Sequence, residues 1–389
     1  MKSFAEFLKK REQGGNLRSL TPIDRLADGH LLAVDEESTQ SYLDFSSNDY
    51  LALTLHPKVI ESSKDALLQM GTGAGAARLM SGSLKSHHLL EEEVAQLKGC
   101  EAALIFGSGY LANIGVIPAL VGRHDLLLSD RLNHASIYDG CRLSGAKTHR
   151  FHHNNMEHLE DLLKKHRGAY QKALIVVESI YSMDGDRAPL KDIVALKKKY
   201  DCLLMVDEAH ATGIFGPTGA GIIEEDKVVD DVDIAMGTFG KALGSYGAFI
   251  AASHQFVQYL INQARSFIYS TALPPAVIAA SRASLHLIKT EPKIRQELHS
   301  KVELFKKYLS AGGFSENLGP SQIVPVVVGS SEKAVAMVGE FRAKHIFTTA
   351  VRPPTVPEGS ARIRFSITRH HQPPDLQQAA ETLLSILNR

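Results

Sequence analysis

Only three cysteines, Cys100, Cys141 and Cys202, occur among the 389 residues, and that scarcity excludes a disulfide framework. Their apolar neighbours predict buried free thiols in a reducing compartment. Net charge is missing too. The 43 Lys and Arg balance 43 Asp and Glu, so the chain as a whole has no basic pull toward nucleic acid or an anionic membrane. No apolar run approaches the roughly 18 residues needed to span a bilayer. Residues 1–10 alternate charge with apolar side chains at helical spacing, which reads as a helix and not a signal peptide, so a cytoplasmic location is expected. Repeats and low-complexity segments are absent. No metal is expected: the paired histidines His87-His88, His152-His153 and His370-His371 diverge from any one face, and no carboxylate or cysteine stands at ligand spacing.

What is present is alternation. With 44% hydrophobic and 22% charged residues the composition is that of an ordinary soluble globular protein. After an opening helix that ends near Gly14-Gly15, runs at 31–35 and 41–45 predict a β-hairpin. From residue 101, apolar runs at 101–106, 125–129, 172–178, 202–207, 232–237 and 246–251 alternate with helical patterns at 109–120, 134–143, 156–166 and 189–200. That alternation predicts an α/β fold with a mainly parallel central sheet and helices on both faces. Helical pattern at 252–292 breaks at Pro274-Pro275. Helix 293–311, strand 322–328, helix 331–344, strand 361–367 and helix 373–388 then predict a smaller α+β C-terminal domain. The expected division is an N-terminal arm at 1–45, a large domain at 46–288 and a small domain at 289–389.

Ligands of such sheets gather beyond the strand C-termini, and the chemistry-bearing residues fall there. Asp207 ends an apolar strand, with His210 three residues on. A carboxylate there can hold a pyridine nitrogen protonated; the competing reading is an acid capping the next helix. Lys241, set among Thr238, Gly240, Ala242 and Gly244, has room for an amine that forms a Schiff base and then moves a proton. Gly107-Ser108-Gly109-Tyr110 opens a helix after a strand, a turn whose exposed N–H groups suit a phosphate. His134 opens another helix and could stack on an aromatic cofactor. Ser182 follows a strand, and Arg352 sits in a proline-stiffened loop suited to a carboxylate. The string Asp207-Glu208-Ala209-His210 also marks a class of RNA helicases, but that reading demands an upstream Walker A loop, and none exists.

With these segments in view, the chain resembles the α-oxoamine synthase group of fold-type I pyridoxal phosphate enzymes. The likeness runs from Leu43-Asp44-Phe45-Ser46-Ser47-Asn48 to Ala361-Arg362-Ile363-Arg364. It implies a PLP-dependent transferase with Lys241 as the Schiff-base lysine, Asp207 on the pyridine nitrogen, His134 stacked on the ring, and Ser182 and His210 on the ring oxygen. Gly109, Tyr110 and Thr238 would hold the phosphate, joined by Ser270 and Thr271 of a neighbouring subunit in a homodimer. Asn48, His134 and Arg352 would bind the amino acid carboxylate; Arg18 and Thr355 would contact an acyl thioester. Arg352-Pro353-Pro354-Thr355-Val356-Pro357 points to the biotin-pathway branch, an acyltransferase condensing L-alanine with a pimeloyl thioester of coenzyme A or acyl carrier protein, with loss of carbon dioxide. The alternative is a sister synthase joining glycine to an acetyl group, such as 2-amino-3-ketobutyrate ligase.

Overall fold

Short runs of aliphatic residues with no polar alternation form strands covered on both faces, and the middle of this chain is built from them. The computed structural model describes residues 3–34, 39–316 and 318–388; Met1 and Lys2 of the expected opening helix and residue 35 of the expected hairpin lie outside these. By packing, the chain divides into two compact units. One comprises Met1–Ala52, Ser182–Asp186 and Gln296–Arg389; the other comprises Leu53–Tyr181 and Arg187–Arg295.

The larger unit holds a seven-stranded sheet in the order Ala102–Phe106, Ala248–Ala252, Ile234–Thr238, Leu203–Asp207, Ala173–Glu178, Leu126–Asp130 and Lys147–Phe151. Only Ala248–Ala252 runs antiparallel to its neighbours. Every residue of Ala173–Glu178 is buried, as expected for a strand sandwiched between helical layers. Lys147–Phe151 has no counterpart among the sequence runs, because this edge strand is mostly polar and partly exposed. Helices Gly109–Leu120 and Ala135–Ser144 pack on each other, each capped by the residue before it: Ser108 accepts the Leu111 N–H, and His134 accepts the Ser136 N–H. Asp130, Glu178, Asp207 and Thr238 are the last residues of parallel strands, so one edge of the sheet collects the polar ends of otherwise apolar segments.

The smaller unit contains a three-stranded sheet, Ile323–Gly329, Ala361–Ser366 and Ala350–Val351, and a four-stranded one formed by Ile23–Arg25, His30–Val34, Thr39–Asp44 and Ile346–Phe347. The hairpin His30–Val34 with Thr39–Asp44 pairs antiparallel, and Ile346–Phe347 adds a parallel strand to it. Its core is aromatic: Phe365 meets Phe45, Phe305 and Phe341 at ring-centroid distances of 5.8, 5.5 and 5.4 Å. His371 stacks on Phe45 at 4.0 Å; its Nδ1 accepts the Thr368 N–H and its Nε2 donates to the Asp44 carbonyl. Burial pushes this imidazole down to about 3. The three cysteines are free; Cys141 and Cys202 are buried and Cys100 only half so. Among the described residues no helix is long and apolar enough to cross a membrane, and no group of three or more side chains could hold a metal.

Candidate active site

In the larger unit the chemistry starts where the strand Leu203–Asp207 runs out. Asp207 is buried, and both carboxylate oxygens have donors: Oδ1 takes the Ala209 N–H at 2.9 Å and Oδ2 takes the Asn113 amide at 3.0 Å. The following turn aims His210 at Lys241, whose Nζ lies 2.7 Å from His210 Nε2. Gly244 closes a turn behind the lysine by donating to its carbonyl. Its φ of +58° and a Cβ position 2.5 Å from the Thr54 nitrogen leave no space for another residue. The small residues around Lys241 thus shape the backbone as well as clear the amine.

A buried ion pair braces the turn from below. Lys98 Nζ lies 2.8 Å from Glu208 Oε2 and 2.8 Å from Thr212 Oγ1, and it also donates to the Ala220 carbonyl, so the ammonium is saturated. Glu208 Oε1 accepts the Ile223 N–H at 3.0 Å. A Cβ at Gly221, where φ is +123°, would lie 2.4 Å from the same carboxylate. Satisfied on every side, the pair ties helix Lys85–Lys98 to the segment carrying Asp207 and His210.

His134 is an exposed residue whose Nδ1 turns inward to the buried Ser136. Its own N–H is held by the Glu178 carboxylate. The crowded surroundings push its pKa below the ordinary value, aided by the charge of Lys241 and opposed by that of Asp207, so the ring is neutral at pH 7. At the head of helix Gly109–Leu120, the N–H groups of Gly109 and Tyr110 find no partner among the described residues, as helix geometry dictates. Thr238 spends its hydroxyl inside its own loop, donating to the Gly247 carbonyl and accepting the Gly240 N–H. An isolated bridge pairs Thr271, the neighbour of Ser270, with Ala77, two residues past the glycine-rich segment 71–75. Beyond that segment, Arg78 grips Glu91 through two bonds of 2.8 and 2.9 Å.

The remaining sequence candidates belong to the smaller unit. Arg18 donates to Thr355 Oγ1 at 2.9 Å, and Arg352 donates to the carbonyls of Gly15 and Leu17. Burial and then the nearby charge of Arg18 lower the Arg352 pKa, so two guanidiniums and a hydroxyl form one cationic cluster. Asn48 Oδ1 accepts from Tyr50 OH at 2.9 Å and from Arg364 at 3.2 Å. Arg364 also donates to the carbonyl of Ser182 at 2.7 Å and to Ser366 Oγ at 2.6 Å. Sequence reasoning assigned no role to Asn113, Ser136, Glu178, Lys98, Tyr50 or Arg364. One signal was available: Asn113 is a lone amide among Leu111, Ala112, Ile114, Val116 and Ile117 in an otherwise apolar helix.

The class follows from the match of residues 40–383 to the family model described as aminotransferase class I and II. A solved SPT with PLP is 30% identical, covers 100% of this chain and 97% of its own, and superposes with a TM-score of 0.91. The 8-amino-7-oxononanoate synthase of Geobacter sulfurreducens is 46% identical over 99% of this chain and 98% of its own length. The solved enzyme of that name from Francisella tularensis is 27% identical, covers 89% of this chain and 98% of its own, and has a TM-score of 0.77. The chain belongs to the 8-amino-7-oxononanoate synthase family, within the aminotransferase class I and II fold.

Proposed function

We propose that this chain is a pyridoxal phosphate-dependent acyltransferase that condenses L-alanine with a pimeloyl thioester, releasing carbon dioxide and the thiol and giving the biotin precursor 8-amino-7-oxononanoate. The observation that carries the reading is the 2.7 Å approach of Lys241 Nζ to His210 Nε2 beyond the strand end that holds Asp207. In pyridoxal phosphate the aldehyde carbon and the phenolic oxygen are ring neighbours, so a lysine for one and an imidazole for the other must converge as these do. The nitrogen lies across the ring and needs an ionised carboxylate; buried Asp207, with two donors, fits that need. The unspent N–H groups of Gly109 and Tyr110 fit a phosphate. When bound, the cofactor supplies an electron sink for the carbanion at the alanine Cα.

The chain's own residues do the rest. Lys241 would hold the cofactor by its aldehyde, and its amine is placed to serve as the base for the alanine Cα proton. The ring of His134 would offer a flat face for stacking, and Ser182 with His210 would hold the ring oxygen. Thr238 would add its hydroxyl to the phosphate site. Arg352 and Asn48 supply cationic and amide donors for the substrate carboxylate, fixing which Cα bond is labile. Arg18 and Thr355 contact the acyl thioester.

We further propose a cytoplasmic homodimer. Helix Pro57–Met70 exposes Ile60, Leu67, Leu68 and Met70, and Leu79 and Met80 beyond it are exposed too, an apolar run suited to a second copy. Ser270 and Thr271 would then serve the partner's phosphate. Free thiols suit the reducing cytoplasm. The test of the assignment is Lys241→Ala: the purified variant should lose the covalently held cofactor, read by visible absorption and by mass after borohydride reduction, together with turnover. Retained turnover would remove Lys241 from the account.

A further inference from the structure

Asn113 links the two residues that the cofactor reading puts on different sides of the ring. A carboxylate only accepts, so the Asn113 atom 3.0 Å from Asp207 Oδ2 is the amide nitrogen. The second hydrogen of that nitrogen goes to Ser136 Oγ at 2.9 Å. Ser136 Oγ accepts that hydrogen, and His134 Nδ1 lies 2.8 Å from the same hydroxyl. The Ser136 backbone N–H also points at Nδ1, at 3.2 Å. A ring nitrogen that receives an N–H donor carries a lone pair, so the His134 proton sits on Nε2.

We propose that Asn113 is a positioning residue that sets two groups at once: it holds Asp207 as an acceptor and, through Ser136, fixes His134 as the neutral tautomer protonated at Nε2. The consequence is directional. His134 presents its ring face together with an N–H donor at Nε2, the form that can hydrogen-bond a substrate carboxylate without bringing a second charge. Asn113 and Ser136 are both buried, so water does not compete for these bonds. The lowered pKa of His134 agrees with a neutral ring. At Gly140, on the neighbouring helix, a Cβ would lie 2.7 Å from the Asn113 carbonyl; the glycine lets the helix carrying Asn113 come this close.

The proposal rests on the cofactor reading above, and its test separates the two. In PLP-loaded protein labelled with 15N-histidine, long-range 1H–15N spectra report the tautomer of His134, identified by the signal missing in His134→Asn. The wild type should show an unprotonated Nδ1. Ser136→Ala keeps the backbone N–H and loses only the hydroxyl, so the Nε2-protonated form should stay the major one beside a measurable Nδ1-protonated fraction, with PLP affinity within about twofold of wild type, and Ser136→Thr, which keeps the hydroxyl, should restore the single form. Asn113→Ala should give the same mixture and weaken PLP binding on the order of tenfold, since it also strips a donor from a charged acceptor. A protonated Nδ1 in the wild type, or the absence of an Nδ1-protonated fraction in Ser136→Ala, overturns the proposal; the serine variant decides if the asparagine variant does not fold. Failure of the wild type to bind PLP would instead defeat the cofactor reading, and the tautomer could still be read in the unloaded protein.

Discussion

The two units solve the problem of placing reactive groups differently. In the larger one, Asp207, His210, Thr238 and Lys241 come from two neighbouring strand ends and the turns that follow, so sequence neighbours become site neighbours. In the smaller one, Arg18 meets Thr355 across 337 positions, and Asn48 meets Arg364 across 316. Local order makes the first cluster rigid and readable; the second depends on the chain's opening segment returning to its C-terminal sheet. The proposed function divides its residues in the same way, with most proposed cofactor residues in the larger unit and the proposed substrate residues Arg18, Asn48, Arg352 and Thr355 in the smaller. Ser182 is the exception, a cofactor candidate within the smaller unit.

The largest effect should come from the brace under the cofactor cluster. Lys98→Met leaves the Glu208 carboxylate buried without its partner and should cost about 3–5 kcal/mol of stability, measured by urea unfolding. A loss below about 1 kcal/mol would mean that the segment does not need the pair. Asp207→Asn keeps the shape and removes the charge; kcat should fall about a thousandfold and the visible band of bound PLP should shift. If the band stays put, Asp207 does not face the ring.

Arg352→Ala probes the other side of the comparison. KM for alanine should rise on the order of tenfold or more, the worth of a charged hydrogen bond, while the cofactor band is unchanged. A shifted band would break the proposed division between the units. A further effect, away from the reacting groups, is on pH. His371 binds its proton near 3 when folded and near 6.5 ordinarily, so its contribution is intact above pH 6.5 and is lost as the pH falls through that window. One proton corresponds to about 1.4 kcal/mol per pH unit, or roughly 2 kcal/mol between pH 6.5 and 5. His371→Gln should flatten that slope in thermal unfolding followed against pH; an unchanged slope would assign it to other groups.

How legible each part was follows from the same contrast. Strand-ending apolar runs and the helices between them could be read to within a few residues, because burial on both faces leaves no polar alternation to confuse them. The edge strand Lys147–Phe151 and the two-residue strands Ile346–Phe347 and Ala350–Val351 could not, since tertiary pairing and not local pattern makes them strands. The antiparallel direction of Ala248–Ala252 was invisible for a similar reason: a run of Ala, Phe and Ile carries no sign of its orientation. Resemblance to a family supplied Arg18, Asn48 and Thr355, which no spacing argument could reach. Ser136 and Arg364 carry no sign in the sequence, and Asn113 only its isolation in an apolar helix, because their meaning lies in what they touch.

The most direct test of the central claim is turnover by the PLP-loaded protein. With L-alanine and pimeloyl-coenzyme A it should release 8-amino-7-oxononanoate, carbon dioxide and free thiol in equal amounts, with kcat/KM well above that for glycine and acetyl-coenzyme A. A clear preference for the glycine and acetyl pair would contradict the assignment and move the chain to the sister reaction.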